Sequence, residues 1–210
     1  MNVIRRVLKG WVKVLPFYLF TLLPLFISCS EQVDEETDEY ANWQTRNEAY
    51  IANIATKYQR LKVYTKDPQA EGEVSDYVYY EVLEQGTGTE SPYYSDTVRV
   101  SYRGRLIPTT SYPEGYIFDQ TYTGSFAWQT TGVATSQVVG FVDGFNTALQ
   151  HMHRGDRWRI YIPYQLGYNK TVKEGIPVCS TLIFDIALID FSHPGYSMPQ
   201  WSSRKAKITE

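Results

Sequence analysis

Between residues 141 and 168 the apolar positions of this chain change their spacing twice. Phe145, Leu149 and Met152 recur three to four residues apart, as on one face of a helix, and Trp158, Ile160 and Ile162 then recur at every second position, as in a strand. Gly144 stands before the helical run, Gly155 and Asp156 supply a turn after it, and Pro163 closes the strand. The punctuation therefore predicts a short helix over residues 144 to 152 running into a strand. Phe141, Val142, Phe145 and Tyr168 flank this unit. They predict a small hydrophobic cup with one phenolic hydroxyl on its rim.

Period-two alternation returns in three other places. Residues 77 to 83 alternate and stop at Gly86 and Gly88; Val98, Val100 and Tyr102 alternate with Arg99, Ser101 and Arg103; residues 182 to 191 alternate most strongly and predict a central strand. Earlier in the chain, Trp43, Asn47, Tyr50, Ile51, Ile54, Tyr58 and Leu61 form a stripe at helical spacing. Lys57, Arg60 and Lys62 gather at its end, where a helix dipole favours cations, so an amphipathic helix is predicted from residue 40 to about 63. Residues 65 to 75, with Pro68 and Gly72, read as a linker, and residues 107 to 117 and 131 to 137 read as loops. The fold class expected is α+β: a twisted antiparallel sheet of about five strands wrapped around one short helix, with an N-terminal helix in front.

The first 28 residues carry a different pattern. Arg5, Arg6, Lys9 and Lys13 precede an apolar run from residue 14 to 27 that Pro16 and Pro24 interrupt. This reads as a secretory leader and not a stable span. It ends at Phe-Ile-Ser-Cys, which resembles a bacterial lipobox in which Cys29 becomes the lipidated first residue. Residues 29 to 39, rich in Asp and Glu, read as an acidic tether, and the alternative is an export signal of surface lipoproteins. The expected divisions are therefore a signal peptide over 1 to 28, the tether over 29 to 39, a helix and linker over 40 to 75, a domain over 76 to 192 and a tail over 193 to 210. The expected location is the cell envelope, on the periplasmic side or at the outer-membrane surface.

Composition narrows the function. The net charge of −3 falls to −7 once the leader removes four cations and no anions, so no basic stripe is present to neutralise phosphates and no nucleic-acid partner is expected. His151 and His153 are two residues apart and point to different faces of a helix, so no metal is expected; no cofactor is expected either. No Gly-x-Ser-x-Gly elbow occurs, and Cys179 lies in an apolar stretch where it is expected to be a buried strand-edge hydrophobe. An aromatic hollow without acid, base or nucleophile suits rotation about an Xaa-Pro amide, whose barrier of about 18–20 kcal/mol arises from resonance.

Several segments, taken in order, resemble the FKBP-type peptidyl-prolyl cis-trans isomerases. They are VRVSYRGRL from residue 98, IFDQT from 117, SFAW from 125, FVDGF from 141, HMHRG, RWRIYIP, LGYN and GIPVCSTLIFDIALIDF from 175. The resemblance spans residues 77 to 191. It implies an isomerase acting on proline-containing polypeptides during folding of exported proteins, with macrolides as a further ligand class. It also implies that the prolyl ring enters a cup of Tyr102, Phe118, Phe126, Phe141, Val142, Phe145 and Phe184. By the same resemblance Tyr168 offers its hydroxyl to a substrate carbonyl, the Ile176 backbone N–H offers a second hydrogen bond, and Asp119 is a polar wall. The chain departs from the family pattern in having Phe145 in place of Trp, Phe141-Val142 in place of Val-Ile, and Asn169 in place of Gly. A non-catalytic chaperone-like module and a glycan-binding envelope lipoprotein are the alternatives.

Overall fold

Strand β7 (Leu182–Ser192) is the axis of the fold, and its first seven residues are buried because both of its faces are covered. The computed structural model describes residues 38–67 and 69–201. The expected signal peptide, Cys29, most of the acidic tether and the last nine residues of the tail lie outside the described residues. On one side β7 pairs with β6 (Arg157–Ile162), then β2 (Tyr77–Glu84), then β1 (Gln59–Lys62). On its other side lies β3 (Thr97–Arg105), which in turn pairs with β4 (Ile117–Gln120) and β5 (Ala134–Gln137). Every pairing is antiparallel, and the sheet has seven strands, two more than the alternation suggests.

One face of the sheet presents Val98, Val100, Ile160, Ile162, Phe184, Ile186 and Leu188 to the short helix α2 (Asp143–Leu149), whose Phe145, Ala148 and Leu149 are buried against them. Gly144 makes this approach possible. A Cβ there would stand 2.4 Å from Ile162 Cγ2, so any side chain would push the helix off the sheet. The opposite face is covered at one end by helix α1 (Trp43–Ala55). Its Ile51 and Ile54 pack on a cross-strand row of Tyr79, Tyr161 and Ile183, which lie opposite one another in register. Two residues further along the same strands, Asp185 accepts bonds from Arg159 at 2.6 and 3.0 Å and from Arg105 at 3.0 Å.

Helix α1 is tied down by buried polar groups. The Asn47 side chain accepts the Thr181 N–H at 2.7 Å and donates to the Trp43 carbonyl at 2.8 Å, while Trp43 Nε1 donates to Ser180 Oγ at 2.8 Å. The tail is docked as far as residue 199: His193 Nδ1 lies 2.9 Å from the buried Asp96 carboxylate, and Arg99 donates to the Pro199 carbonyl at 2.8 Å.

Four expectations about local structure need correction. The first helix ends at Ala55 and not near residue 63, because Leu61 and Val63 also alternate and residues 59 to 62 satisfy the edge of β2 as a strand. Residues 134 to 137 form β5 where a loop was expected; this strand is polar and half-exposed, so no apolar alternation marks it. Helix α2 stops at Leu149, with a turn covering the rest of the expected span. Cys179 is buried, but it stands in a turn with φ of 60° and not at a strand edge, and its thiol lies 3.6 Å from Gln44 Oε1.

The Asn47 tether yields a test. Asn47→Ala leaves the buried Thr181 N–H without an acceptor and is expected to lower the unfolding free energy by about 2 kcal/mol. Chemical denaturation measures this, and a change within error would show that α1 is held by its apolar contacts alone.

Candidate active site

The site begins with a missing side chain. In β3 Gly104 lies opposite Phe184 of β7, on the face that meets α2. A Cβ on it would stand 2.6 Å from both Phe118 Cζ and Phe184 Cε1. Its absence lets those two rings meet edge to face at 5.4 Å over the strand. Phe145 enters from α2 and completes the cluster, edge-on to Phe184 at 5.0 Å and to Tyr102 at 5.9 Å, and stacked on Phe141 at 4.5 Å.

Burial divides these residues into a floor and a rim. Phe145 is 2% exposed and Phe184 6%, while Tyr102, Phe118, Phe141, Val142 and Tyr168 are half-buried and pack around the same core. The Ile176 side chain packs there too. The result is an aromatic cluster with an enclosed floor and a partly exposed rim.

Polar groups are few and sit at the rim. The Tyr102 hydroxyl donates to Asp119 Oδ2 at 2.7 Å, and Asp119 itself is exposed at the end of β4. Burial, followed by this bond and the Asp119 charge, pushes the Tyr102 pKa well above the usual phenol value. Tyr168 is pushed up as well, mainly by burial and then by the same carboxylate. Both hydroxyls therefore keep their protons at neutral pH. Among the described residues the Tyr168 hydroxyl has no hydrogen-bond partner, and Lys173 Nζ lies 5.3 Å from the centre of its ring.

Two site expectations change. Phe126 does not join the cup: its ring contacts are Tyr122 at 5.4 Å, Trp128 at 5.0 Å and the Arg157 guanidinium at 4.6 Å. Arg157 leaves β6 on the face opposite Trp158 and Ile160, so the loop carrying Phe126 crosses the other side of the sheet. The Ile176 N–H is also engaged, donating to the Lys173 carbonyl at 3.1 Å across a tight turn through Gly175 at φ 71°. The Val142 N–H, at the entry to α2, has no acceptor among the described residues, and it stands three residues before Phe145. Gly104 could have been found from the sequence as a glycine at a core-facing strand position, whereas a free backbone N–H leaves no mark in composition.

The family model for FKBP-type peptidyl-prolyl cis-trans isomerase matches residues 88–189, which contain every member of this cup. The chain belongs to that family, and this segment is its rotamase domain. Among its relatives, the macrophage infectivity potentiator of Trypanosoma cruzi is 31% identical over 172 residues, covering 81% of this chain and 80% of that protein. Escherichia coli FkpA, an FKBP-type isomerase, is 38% identical over 112 residues, 53% of this chain and 36% of FkpA. Its crystal structure superposes with a TM-score of 0.54 at 29% identity, over 72% of this chain and 60% of that one. The outer membrane protein MIP of Legionella longbeachae is 37% identical over 111 residues, 52% of this chain and 42% of that protein. The sequence matches thus span most of the trypanosome protein but less than half the length of the two bacterial ones.

Gly104→Ala is expected to drive Phe118 and Phe184 apart, at a stability cost of ~1–3 kcal/mol, and to lower kcat/KM on a short Xaa-Pro peptide at least tenfold. Turnover equal to wild type would show that the two rings do not form the working surface.

Proposed function

We propose that this protein speeds the folding of polypeptides exported to the cell envelope by isomerising their Xaa-Pro bonds in the cup over Phe145. The observation that carries the proposal is the combination of an enclosed aromatic floor with two unspent donors at its edge, the Val142 N–H and the Tyr168 hydroxyl.

The chemistry follows from the amide itself. Planarity is maintained by resonance that places charge on the carbonyl oxygen and nitrogen, and the twisted transition state is the less dipolar form. Transfer from water into an apolar hollow therefore disfavours the ground state more than the transition state. Each ~1.4 kcal/mol gained in this way speeds the reaction tenfold. The prolyl ring would lie on Phe145, with Phe118, Phe184, Phe141, Val142 and Tyr102 as walls. A backbone carbonyl of the substrate would take a hydrogen bond from Val142, in place of the engaged Ile176 N–H, and the Tyr168 hydroxyl would hold a second. Asp119 would fix the Tyr102 ring as a wall by accepting a hydrogen bond from its hydroxyl, and its carboxylate would add a negative field beside the substrate. Macrolides, the further ligand class the family resemblance implies, would compete for the same floor.

The envelope location rests on the leader and on the outer-membrane name of the Legionella relative. Lipidation of Cys29 would hold the domain at a membrane, with the acidic tether keeping it clear of anionic lipid.

Val142 permits a clean test of the hydrogen bond. Its φ of −64° suits proline, and Phe141 before it is extended, so Val142→Pro removes one N–H while keeping the backbone path. Turnover of a short Xaa-Pro peptide is expected to fall about tenfold in this variant, about threefold in Tyr168→Phe, and more than threefold in Asp119→Leu. Wild-type rates in all three, or a wild-type chain that leaves the peptide and a proline-limited refolding reaction at their uncatalysed rates, would overturn the assignment.

A further inference from the structure

Strand β3 has a gap in its pairing, and Tyr102 lies in it. On the side away from β7, β5 covers Thr97 to Val100 and β4 covers Arg103 to Arg105, so neither strand stands opposite Ser101 and Tyr102. An open backbone N–H there would leave the strand that carries a cup wall without its cross-link. Thr121, the first residue beyond β4, fills the gap. Its N–H donates to the Tyr102 carbonyl at 2.9 Å, and its hydroxyl oxygen accepts the Tyr102 N–H at 3.0 Å and lies 3.3 Å from the Tyr102 carbonyl.

That hydroxyl is itself held from behind. Ser101 points to the face of β3 opposite Tyr102 and is buried; its Oγ lies 3.0 Å from Thr121 Oγ1 and hydrogen-bonds Thr131 Oγ1 as well. The buried Thr131 hydroxyl donates to the Gly132 carbonyl at 3.2 Å. One direction of donation satisfies the whole row: the Tyr102 N–H to Thr121, Thr121 to Ser101, Ser101 to Thr131, and Thr131 to the Gly132 carbonyl. The loop that brings Thr131 here is pressed against Thr121, because a Cβ on Gly132 would stand 2.1 Å from the Thr121 carbonyl oxygen. These hydroxyls stand outside the aromatic cluster of the cup.

What the row holds is a residue whose ring must be placed. The Tyr102 ring is edge-on to Phe145 at 5.9 Å and to Phe184 at 6.0 Å, and its hydroxyl donates to Asp119 at 2.7 Å. Asp119 lies two residues before Thr121, opposite Gly104. Thr121 therefore fixes both ends of the Tyr102–Asp119 bond, Tyr102 through its backbone and Asp119 through the short run of chain between them.

We propose that Thr121, backed by Ser101 and Thr131, positions the Tyr102 ring and its bond to Asp119, and so sets the rate of isomerisation without touching the substrate. The proposal rests on the cup being the prolyl site. A wall that shifts loses its contacts with the twisting amide, so a change behind the wall is read at the reaction.

The full chain is tested on a short Xaa-Pro peptide at a temperature where circular dichroism shows each variant folded. Thr121→Val, which keeps the shape and removes the acceptor, is expected to lower kcat/KM about fivefold, and Thr121→Ser, which keeps the hydroxyl, to recover most of that loss. In a Tyr102→Phe background, already without the bond to Asp119, Thr121→Val is expected to cost less than about twofold more. Hydrogen exchange supplies a second readout that survives a Thr121→Val chain that does not fold. In Ser101→Ala, as in Thr121→Val, the Tyr102 amide is expected to exchange about tenfold faster while the Ile160 amide is unchanged. Wild-type turnover in Thr121→Val, a fivefold loss that persists in Tyr102→Phe, or exchange that speeds equally across the sheet would overturn the role of Thr121 while leaving the isomerase in place. A wild-type chain without turnover would remove the cup assignment and this role with it.

Discussion

The approach of Phe118 and Phe184 over a strand position that lacks a Cβ is the constraint on which the rest of this structure depends. Gly104 sets the depth of the hollow, because rings 2.6 Å from a would-be Cβ could not be this deep beside any other residue. Gly144 does the same on the helix side by letting α2 lie against Ile162, and this brings Phe145 edge-on to Phe184. Two close approaches, one on a strand and one at the start of a helix, bring an aromatic floor up to a half-buried rim at the edge of the core.

A half-buried rim of this kind weakens packing on one face, and the other face is correspondingly well fastened. Helix α1 covers the Tyr79, Tyr161 and Ile183 row, and Asp185 is held between Arg105 and Arg159 in the middle of the sheet. These part-buried ion pairs tie β3, β6 and β7 together, so the strands that carry Tyr102, Gly104 and Phe184 are held in register from behind. The N-terminal segment is therefore more than a spacer: it braces the sheet through Asn47 and, at Tyr40, reaches round to the edge of the cup.

Much of this was legible in the chain. Long strands with one apolar face announce themselves by alternation, and α2 by the spacing of Phe145 and Leu149. Strand β1 did not, since Tyr58 and Leu61 fit the end of a helical stripe as readily as a strand. β5 carries Ala-Thr-Ser-Gln and owes its existence to the edge of β3, a partner that local sequence cannot name. Phe126 shows the same limit at the site. Its place in order along the chain matches the cup, but which face of a twisted sheet a loop crosses is decided by tertiary contacts such as Arg157 and Trp128. Side chains of the hollow were readable from residue type and order, whereas the state of the Ile176 and Val142 N–H groups depends on turns that only coordinates resolve.

The most direct measurement is an NMR titration of the full chain with a short Xaa-Pro peptide, following protein amide and aromatic resonances together with cis–trans exchange of the peptide. The account predicts exchange cross-peaks that appear only with protein present, and shifts concentrated at the Val142 amide and the Phe145, Tyr102 and Tyr168 rings, with Phe126 and Trp128 unmoved. Shifts centred on Phe126 and Trp128, or binding at Phe145 without accelerated exchange, would contradict it.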